Sequence, residues 1–242
     1  MKKIIVVTLG LCLLTGCSTT LLPWPTSPDQ PTTSTNPIPS KPPKASPPEK
    51  VTLDVPFIPE VVNNNWSKPW NNACEEASVA MVEYFYRGTQ PANRAEEEKL
   101  ILKLVAWENK EFGYNANTNA AETARLINET TSFKATVQQN PTLAAIKAEL
   151  AAGRPVISLH YGFGLNNPEL NFVPTGSSYH MMVLVGFDEQ KQEFIVNDNG
   201  WEGGLDSRYP YATILDTLRD YSHTTKKTSG VPTVLFTSPK EE

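Results

Sequence analysis

The stretch between residues 18 and 50 contains ten prolines. Its other residues are mostly Ser, Thr, Lys and Asn, with almost no apolar residue after Trp24. A segment of this composition cannot bury a hydrophobic core, so it is expected to form an extended, partly polyproline spacer. At about 3 Å per residue, such a spacer reaches on the order of 100 Å. A globular fold must therefore be built from the residues after 50.

The N-terminus has the pattern of a signal peptide. Two lysines precede an apolar run from Ile4 to Leu14, which is too short to span a membrane. The run ends in the letters LTGC, and this ending resembles the lipobox of bacterial lipoproteins, in which the peptidase cuts before the cysteine and a diacylglycerol is attached to its sulfur. The alternative is an ordinary secretory signal that leaves Cys17 free.

We therefore expect a lipoprotein signal peptide over residues 1–16, a lipid-anchored linker over residues 17–50 with Cys17 as the lipidated residue, and one domain over residues 51–242. This arrangement places the protein at the bacterial cell membrane or envelope, on the extracytoplasmic side, with the membrane as a partner through the lipid.

The composition of residues 51–242 is that of one globular domain. Roughly 190 residues can bury a sizeable core without disulfides or metal. The net charge of -5 provides no basic surface for nucleic acid. The sequence has no His/Cys cluster at metal-ligand spacing and no glycine-rich phosphate loop. We therefore expect no nucleic-acid partner, no metal and no cofactor.

Hydrophobic periodicity predicts helices early and most strands late, an order that favours an α+β fold. The helix that is predicted to begin at residue 119 has Thr118 or Asn117 as its N-cap. Helices are predicted over residues 74–87, 95–109, 119–128, 141–152 and 212–221, and strands over residues 51–55, 133–137, 154–160 and 233–237, with an antiparallel hairpin over residues 180–201 that turns at 188–192.

Cys74, in the run NNACEEASVAMVEYF, is the single cysteine of the predicted domain. Because exported compartments oxidise thiols, an unpaired cysteine there suggests a reactive nucleophile; the alternative is a small buried hydrophobic residue. The predicted helix begins at Cys74, where the macrodipole and open backbone N–H groups favour a thiolate. Glu75 and Glu76 oppose this locally, and we interpret them as carboxylates that stabilise the first helical turn.

His180 opens the first strand of the predicted hairpin, and Asp198 lies near the end of the second. The hairpin should bring these two positions side by side, so that Asp198, or failing that Asn197, could orient the His180 ring. Side chains alternate along a strand, so only one of the two can do so. The other histidines, His160 and His223, are weaker candidates for a catalytic base.

The chain resembles the bacteriocin double-glycine leader peptidase-like group of papain-like cysteine peptidases, in its broad C-thirty-nine-like branch. The resemblance rests on LDVPFIPE, ACEEASVAM, TLAAIKAELAAGRPVIS and HMMVLVGFDEQKQEFIVNDNG in that order, and covers about residues 51–238. It implies a papain-like α+β fold, with the nucleophile at a helix N-terminus and the helices packed on a mainly antiparallel sheet. It further implies Cys74 as nucleophile, His180 as general base and acid, and Asp198 as the orienting residue.

One position departs from this family pattern. Members commonly carry Gln, which helps to form the oxyanion hole, where this chain has Glu60. An ionised Glu60 would repel a developing oxyanion. The backbone N–H of Cys74 with the side-chain amide of Asn72 or Asn71 could serve instead, because the hole needs only donors aimed at the oxyanion.

These features together predict a membrane-anchored thiol hydrolase, a cysteine peptidase that forms an acyl-enzyme on Cys74. Its substrate is expected to be a peptide or protein, including the peptides of the cell wall. The alternative from a different class is a catalytically inactive papain-like binding module at the surface. Transfer of the acyl group to an amine by the same triad remains open.

Overall fold

A computed structural model describes residues 48–61, 65–170 and 178–241 of the chain. By its internal contacts the chain divides into two units, Met1–Lys44 and Ala45–Glu242, and every described residue belongs to the second. The predicted signal peptide, the lipidated Cys17 and almost all of the predicted linker lie outside the described residues. Within the described ranges, no helix is both long enough and apolar enough to cross a membrane.

A seven-stranded sheet forms the centre of the described unit. Its strands follow the order β2-β7-β3-β4-β5-β6, and β1 pairs with β4. All of these pairs are antiparallel, which confirms the expected sheet type. The strands are β1 (Lys50–Thr52), β2 (Phe133–Gln139), β3 (Val156–Tyr161), β4 (Tyr179–Asp188), β5 (Glu193–Asn197), β6 (Ser207–Pro210) and β7 (Thr233–Pro239).

The helices lie mostly in the first half of the described unit, as expected for this α+β arrangement. Helix α1 contacts strand β4, and α4 contacts the same strand. Two short 3₁₀ turns, Trp70–Asn72 and Gly162–Leu165, interrupt the loops. The helices are α1 (Cys74–Arg87), α2 (Arg94–Glu111), α3 (Ala120–Thr130), α4 (Leu143–Ala151) and α5 (Tyr211–Thr217).

The core lies in two clusters, and alternate side chains of β4 enter each of them. Met181 and Val183 pack in the cluster that contains Cys74 and the apolar residues of α1, α2 and α3. Met182 and Leu184 pack in the cluster that contains residues of α4 and α5. Because both faces of β4 are buried, the strand has a continuous apolar sequence where a half-exposed strand would alternate.

Glycines end two helices at the predicted positions. Gly88 follows α1 with φ 62°, and its N–H donates to backbone carbonyls of the last turn. Gly153 follows α4 with φ 77°, and β3 begins three residues later. Both angles lie in the left-handed region that glycine adopts without steric cost. The predicted helix-glycine-strand sequence around Gly153 is therefore confirmed.

The predicted cap of α3 is wrong. Asn119 is the N-cap, and its side chain accepts hydrogen bonds from the N–H groups of Ala121 and Glu122. The Glu122 carboxylate in turn accepts from the Asn119 N–H, which completes a capping box. Thr118 is instead buried, and its hydroxyl contacts that of Thr123.

The boundaries of two predicted elements also differ. Strand β1 is shorter than predicted and ends at Thr52, because the chain leaves the sheet when Val55 N–H bonds back to Leu53. Helix α5 ends at Thr217, where Leu218 bridges His160 of β3. Strand β6, which follows β5, was not predicted from the sequence.

Candidate active site

Helix α1 begins at Cys74, as predicted. The residue is 5% exposed, and its thiol donates a hydrogen bond to Oε2 of Glu75 at 2.9 Å. Cys74 packs in the same core cluster as Met181, the third residue of β4. The thiol therefore lies between the first turn of α1 and the start of β4, and His180 is the second residue of that strand.

The electrostatic surroundings of Cys74 favour the thiol over the thiolate. Burial raises the pKa of Cys74 well above its ordinary value, and the negative charges of Glu75 and Glu60 and the hydrogen bond to Glu75 act in the same direction. The N–H of Met181 lowers the pKa but does not reverse the shift. The expectation that the helix N-terminus would favour the thiolate is therefore not met in this resting arrangement, because loss of hydration outweighs the macrodipole.

His180 and Asp198 are brought together, as the predicted hairpin requires. Nε2 of His180 lies 2.8 Å from Oδ1 of Asp198, and both residues are buried. Burial raises the pKa of Asp198. The charge and hydrogen bond of His180, together with hydrogen bonds from Tyr209 and Gly200, outweigh burial and hold that pKa below its ordinary value. Asn197 faces away, and its amide donates to the carbonyl of Val55 at 2.9 Å.

The two halves of the site meet at the peptide bond between His180 and Met181. Met181 packs in the core cluster that contains Cys74. The His180 ring lies close to Gly200, where an added Cβ atom would be 3.0 Å from His180 Cε1. With Nε2 of His180 bonded to Asp198, Nδ1 is the ring nitrogen that can act as a base toward a thiol.

Two residues that sequence reasoning missed hold Asp198 in place. The hydroxyl of Tyr209 donates to Oδ2 of Asp198 at 2.5 Å. The Asn167 amide donates to the Tyr209 oxygen at 2.7 Å and to Oδ2 of Asp198 at 3.3 Å. Tyr209 lies on the unpredicted strand β6 and Asn167 lies in a long loop, so no sequence pattern marked either residue.

Asn199 was also missed, and it connects the segments of the site. Its amide donates to the carbonyl oxygen of Cys74 and to the hydroxyl of Ser78, both at 2.9 Å. Its backbone carbonyl accepts from the N–H of Glu60 at 2.9 Å. A single buried residue thus ties the loop after β5 to the head of α1 and to the chain segment that carries Glu60.

The predicted oxyanion-hole residues lie in different surroundings. Glu60 is only 7% exposed. Burial, followed by the charges of Glu75, Asp198 and Glu76, raises the pKa of Glu60 well above its ordinary value. Asn72 is partly exposed, and its amide donates to Oδ1 of Asn71 at 3.1 Å.

The first-turn carboxyls of α1 are buried, not solvated. Burial and the charge of Glu76 raise the pKa of Glu75 to about 8, and burial raises the pKa of Glu108 on α2 to about 8. Glu76 is buried beside Glu108, and burial and this neighbour raise its pKa. Oε2 of Glu75 accepts from the thiol of Cys74, and Oε1 of Glu75 is buried without a hydrogen-bond partner among the described residues.

The weaker histidine candidates have other partners. Nδ1 of His160 lies 2.8 Å from the hydroxyl of Thr217, and burial, followed by the proximity of His180, lowers the pKa of His160 to about 3. His223 is exposed and contacts Glu122 at 2.7 Å. The hairpin pair of His180 and Asp198 is thus the one that approaches the start of α1.

Two cavities adjoin these residues. One, of about 690 Å³, is lined by Asn71 and Asn72 before α1 and by residues of α2 and the loop after it. The other, of about 300 Å³, has Gly200, Trp66 and Trp201 among its lining residues. Among the described residues there is no group of three or more His, Cys, Asp or Glu side chains that could hold a metal ion.

A comparison with one solved structure shows the same fold. The chain is similar to a protein from Bacillus anthracis assigned as a C39-like peptidase, with a TM-score of 0.52 and 15% identity over 81% of this chain and 100% of that one. It is also matched to xylellain, a cysteine protease from Xylella fastidiosa, with a TM-score of 0.40 and 14% identity over 81% of this chain and 88% of that one. No significant match to a curated protein is found.

The sequence itself assigns the family. A family model described as the Peptidase_C39 like family matches residues 52–229. This match spans most of the chain and all the residues of the site, from Glu60 through Cys74 and His180 to Asp198 and Tyr209. The expected α+β fold is confirmed by the sheet and helices described above. The chain therefore belongs to the Peptidase_C39 like family of cysteine peptidases.

Proposed function

We propose that this protein is a membrane-anchored, extracytoplasmic thiol hydrolase that cleaves amide bonds of peptides or proteins through an acyl-enzyme. Cys74 is the nucleophile, His180 the general base and acid, and Asp198 the residue that orients His180. One observation carries the proposal: the buried His180–Asp198 hydrogen bond of 2.8 Å lies next to Met181, which packs in the same core cluster as Cys74.

The chemistry follows from the roles of these three side chains. His180 takes the thiol proton as the Cys74 sulfur attacks the amide carbonyl carbon, and then gives that proton to the leaving amine as the C–N bond breaks. A thioester remains on Cys74. Water, losing a proton to His180, attacks the thioester, and the proton returns to the sulfur as the acid leaves. The ionised Asp198 stabilises the imidazolium formed in each step.

The raised pKa of Cys74 sets a condition on this mechanism. The thiol proton must move from its hydrogen bond with Glu75 to His180 before or during attack. A rotation about the Cα–Cβ bond of Cys74 can redirect the thiol between staggered positions at low cost. Transfer of the thiol proton to His180 therefore accompanies substrate binding.

The test of the hydrolase uses the purified protein and a library of peptides. Hydrolysis should be lost in Cys74→Ala and in His180→Ala, and iodoacetamide should abolish it in the unsubstituted protein. His223→Ala is the matched control, because this exposed histidine contacts Glu122 and should leave the rate unchanged. Unchanged hydrolysis in Cys74→Ala would overturn the catalytic assignment.

The anchor is tested separately by labelling cells with radioactive palmitate. The protein should incorporate the label and should be found in the membrane fraction. Cys17→Ala should lose both properties, whereas Cys12→Ala, which alters a cysteine within the predicted leader, should lose neither. Incorporation that survives Cys17→Ala would refute lipidation at this residue.

The surroundings of the thiol also favour a second candidate, an inactive binding module that retains the papain-like groove. Burial and neighbouring carboxyls raise the pKa of Cys74, whereas an active thiolate usually has a depressed pKa. Alkylation of Cys74 as a function of pH, without and with a bound peptide, separates the two candidates. A thiol that becomes more reactive when peptide is bound indicates the hydrolase, and one that stays unreactive throughout, without hydrolysis, indicates the module.

A further inference from the structure

The smaller of the two cavities described above lies beside the proposed catalytic base. It has a volume of about 300 Å³ and is lined in part by Gly200, where an added Cβ atom would lie 3.0 Å from Cε1 of His180. This volume is at the lower end of the range in which protein pockets hold small ligands, about 300–1,000 Å³. The cavity therefore suits one substrate side chain next to the scissile bond, and not a long stretch of peptide.

The position of the cavity indicates on which side of the scissile bond that side chain lies. In the proposed mechanism His180 gives its proton to the leaving amine, so the leaving amine must approach this ring. The acyl part stays on Cys74 at the head of α1, and Asn72, just before that helix, lines the other cavity. The cavity at Gly200 is therefore assigned to the residue that follows the scissile bond.

Two tryptophans give this cavity aromatic walls. Trp66 is 38% exposed and Trp201 is partly exposed, so both rings have surface that a ligand can contact. The turn after Trp201 fixes its indole: the N–H of Gly204 donates to the Trp201 carbonyl at 3.3 Å, and a Cβ atom added at Gly203 would lie 2.7 Å from Cη2 of that ring. The face of a tryptophan attracts cations through its quadrupole.

Two glutamates, Glu169 and Glu202, line the same cavity, and both are exposed. The N–H of Glu169 donates to Oδ1 of Asn167 at 3.0 Å, and the Asn167 amide in turn donates to Asp198. Glu202 follows Trp201 in the turn. Among the described residues that line the cavity there is no Lys, Arg or His. The cavity therefore combines aromatic surface with negative charge.

We propose that this cavity binds the cationic side chain of a lysine or arginine that follows the scissile bond of the substrate. The inference rests on the proposed hydrolase function and adds a specificity site to it. The two indoles contact the alkyl stem and the cationic head, and Glu169 and Glu202 complement the charge of that head.

The lining of the cavity sets the order of preference among side chains. An acidic side chain is repelled by the two glutamates, and an apolar one gains only the contact with the rings. Exposed ion pairs and exposed cation–π contacts are weak, so the preference for a cation over an apolar side chain should be about tenfold in kcat/KM. Because these charges are exposed, the preference should also decrease at high ionic strength.

The first measurement identifies the bonds that the purified protein cleaves in a library of peptides, by mass spectrometry of the products. The new N-termini should be enriched in Lys and Arg. One cleaved peptide is then synthesised with Arg, norleucine or Glu after the scissile bond. The value of kcat/KM should fall about tenfold from Arg to norleucine, and should be lowest for Glu.

A double variant connects this preference to the cavity. Glu169→Gln with Glu202→Gln keeps the shape of both side chains but removes their charge, so the Arg and norleucine peptides should be cleaved at similar rates. Glu129→Gln is the matched control, because this glutamate is exposed and paired with Arg125; it should keep the preference for Arg. Urea unfolding of each variant checks that it is folded.

Binding to Cys74→Ala provides a measurement that does not require hydrolysis. Short acetylated glycine peptides with a central Arg or norleucine are titrated, and the indole N–H signals of Trp66 and Trp201 are followed by NMR. The Arg peptide should shift both signals at a lower concentration than the norleucine peptide. Adding Glu169→Gln and Glu202→Gln to this variant should remove the difference.

The outcomes distinguish the cation site from the proposed function. If the unsubstituted protein hydrolyses no peptide, or if Cys74→Ala retains hydrolysis, the proposed function fails, and the binding measurement alone decides the cation site. If hydrolysis depends on Cys74 but the new N-termini are not enriched in Lys and Arg, the cation site is overturned while the hydrolase stands. A preference for Arg that survives the double substitution, or an enrichment of Lys and Arg before the bond and not after it, would overturn it as well.

Discussion

The hydroxyl of Tyr209 donates to Oδ2 of Asp198 at 2.5 Å, while Oδ1 of the same carboxylate bonds His180. Asp198 is thus held from both sides and keeps its charge although it is fully buried. Asn167 adds a third contact. The orientation of His180 therefore depends on β6, a strand that contributes no residue of the proposed triad.

Tyr209→Phe should lower kcat about tenfold with little change in KM. The phenyl ring keeps the packing, but Asp198 loses a hydrogen bond to a charged group, which is worth about 1.5–3 kcal/mol. The matched control is Tyr211→Phe, whose hydroxyl makes a longer contact with Glu189 at 3.4 Å. The measurement is kcat and KM for both variants on one peptide substrate. Equal kcat values for the two variants would contradict the role of Tyr209.

Glu75→Gln should make Cys74 more reactive. The charge of Glu75 is the second cause, after burial, that raises the pKa of Cys74, and glutamine removes it. The rate of iodoacetamide labelling should therefore reach its midpoint at lower pH than in the unsubstituted protein. Glu129→Gln serves as the control for a change of net charge. A midpoint that stays in place or moves to higher pH would show that Glu75 does not restrain the thiol.

Gly200→Ala should impair catalysis more than folding. An added Cβ atom would lie 3.0 Å from Cε1 of His180 and 2.5 Å from a methyl group of Leu170, so the ring must shift. A displacement of about 1 Å in a reacting group can cost about 100-fold in rate. The measured quantities are kcat and the free energy of unfolding in urea.

A second glycine provides the opposite case. Gly186→Ala would place a Cβ atom 2.2 Å from the carbonyl oxygen of Val51, in the backbone pairing of β1 with β4. It should destabilise the fold by about 1–3 kcal/mol and leave kcat per folded molecule unchanged. If Gly200→Ala and Gly186→Ala change kcat and the free energy of unfolding in the same ratio, the space beside His180 has no catalytic importance.

The sequence was sufficient to predict the parts of the site that depend on periodicity. The helix that begins at Cys74 follows from apolar spacing, and the pairing of His180 with Asp198 follows from the length of the hairpin. Asp198 was preferred to Asn197 as the orienting residue, but alternation shows only that the two face opposite ways and not which one faces His180. The structure settles that point through the contact of Asn197 with Val55.

The electrostatics of the site could not be predicted in the same way. Glutamates in a first helical turn are usually solvated, so no sequence pattern indicated that Glu75 and Glu76 would be buried. Their burial depends on α2, which brings Glu108 against the head of α1. Similarly, Asn199 and Tyr209 join segments far apart in the chain, and such contacts have no local pattern.

The buried acids should make the folded protein less stable as pH rises. In the unfolded chain Glu75 and Glu108 lose their protons near the ordinary value of 4.5, whereas burial raises the pKa of each to about 8 in the fold. Between these values the folded state binds more protons than the unfolded state. The free energy of unfolding should therefore fall by about 1.4 kcal/mol per pH unit for each group, and level off above about pH 8.

Urea unfolding at a series of pH values measures this slope. Glu108→Gln should reduce it by about 1.4 kcal/mol per pH unit, and the exposed Glu129→Gln should not alter it. Burial lowers the pKa of His160 from 6.5 to about 3, so between these values the unfolded chain binds the extra proton, and His160 partly offsets the gain in stability that the two glutamates give as pH falls. A free energy of unfolding that does not fall between about pH 7 and pH 8, above the titration of His160 in the unfolded chain, would show that the carboxyls of Glu75 and Glu108 are already ionised in the fold.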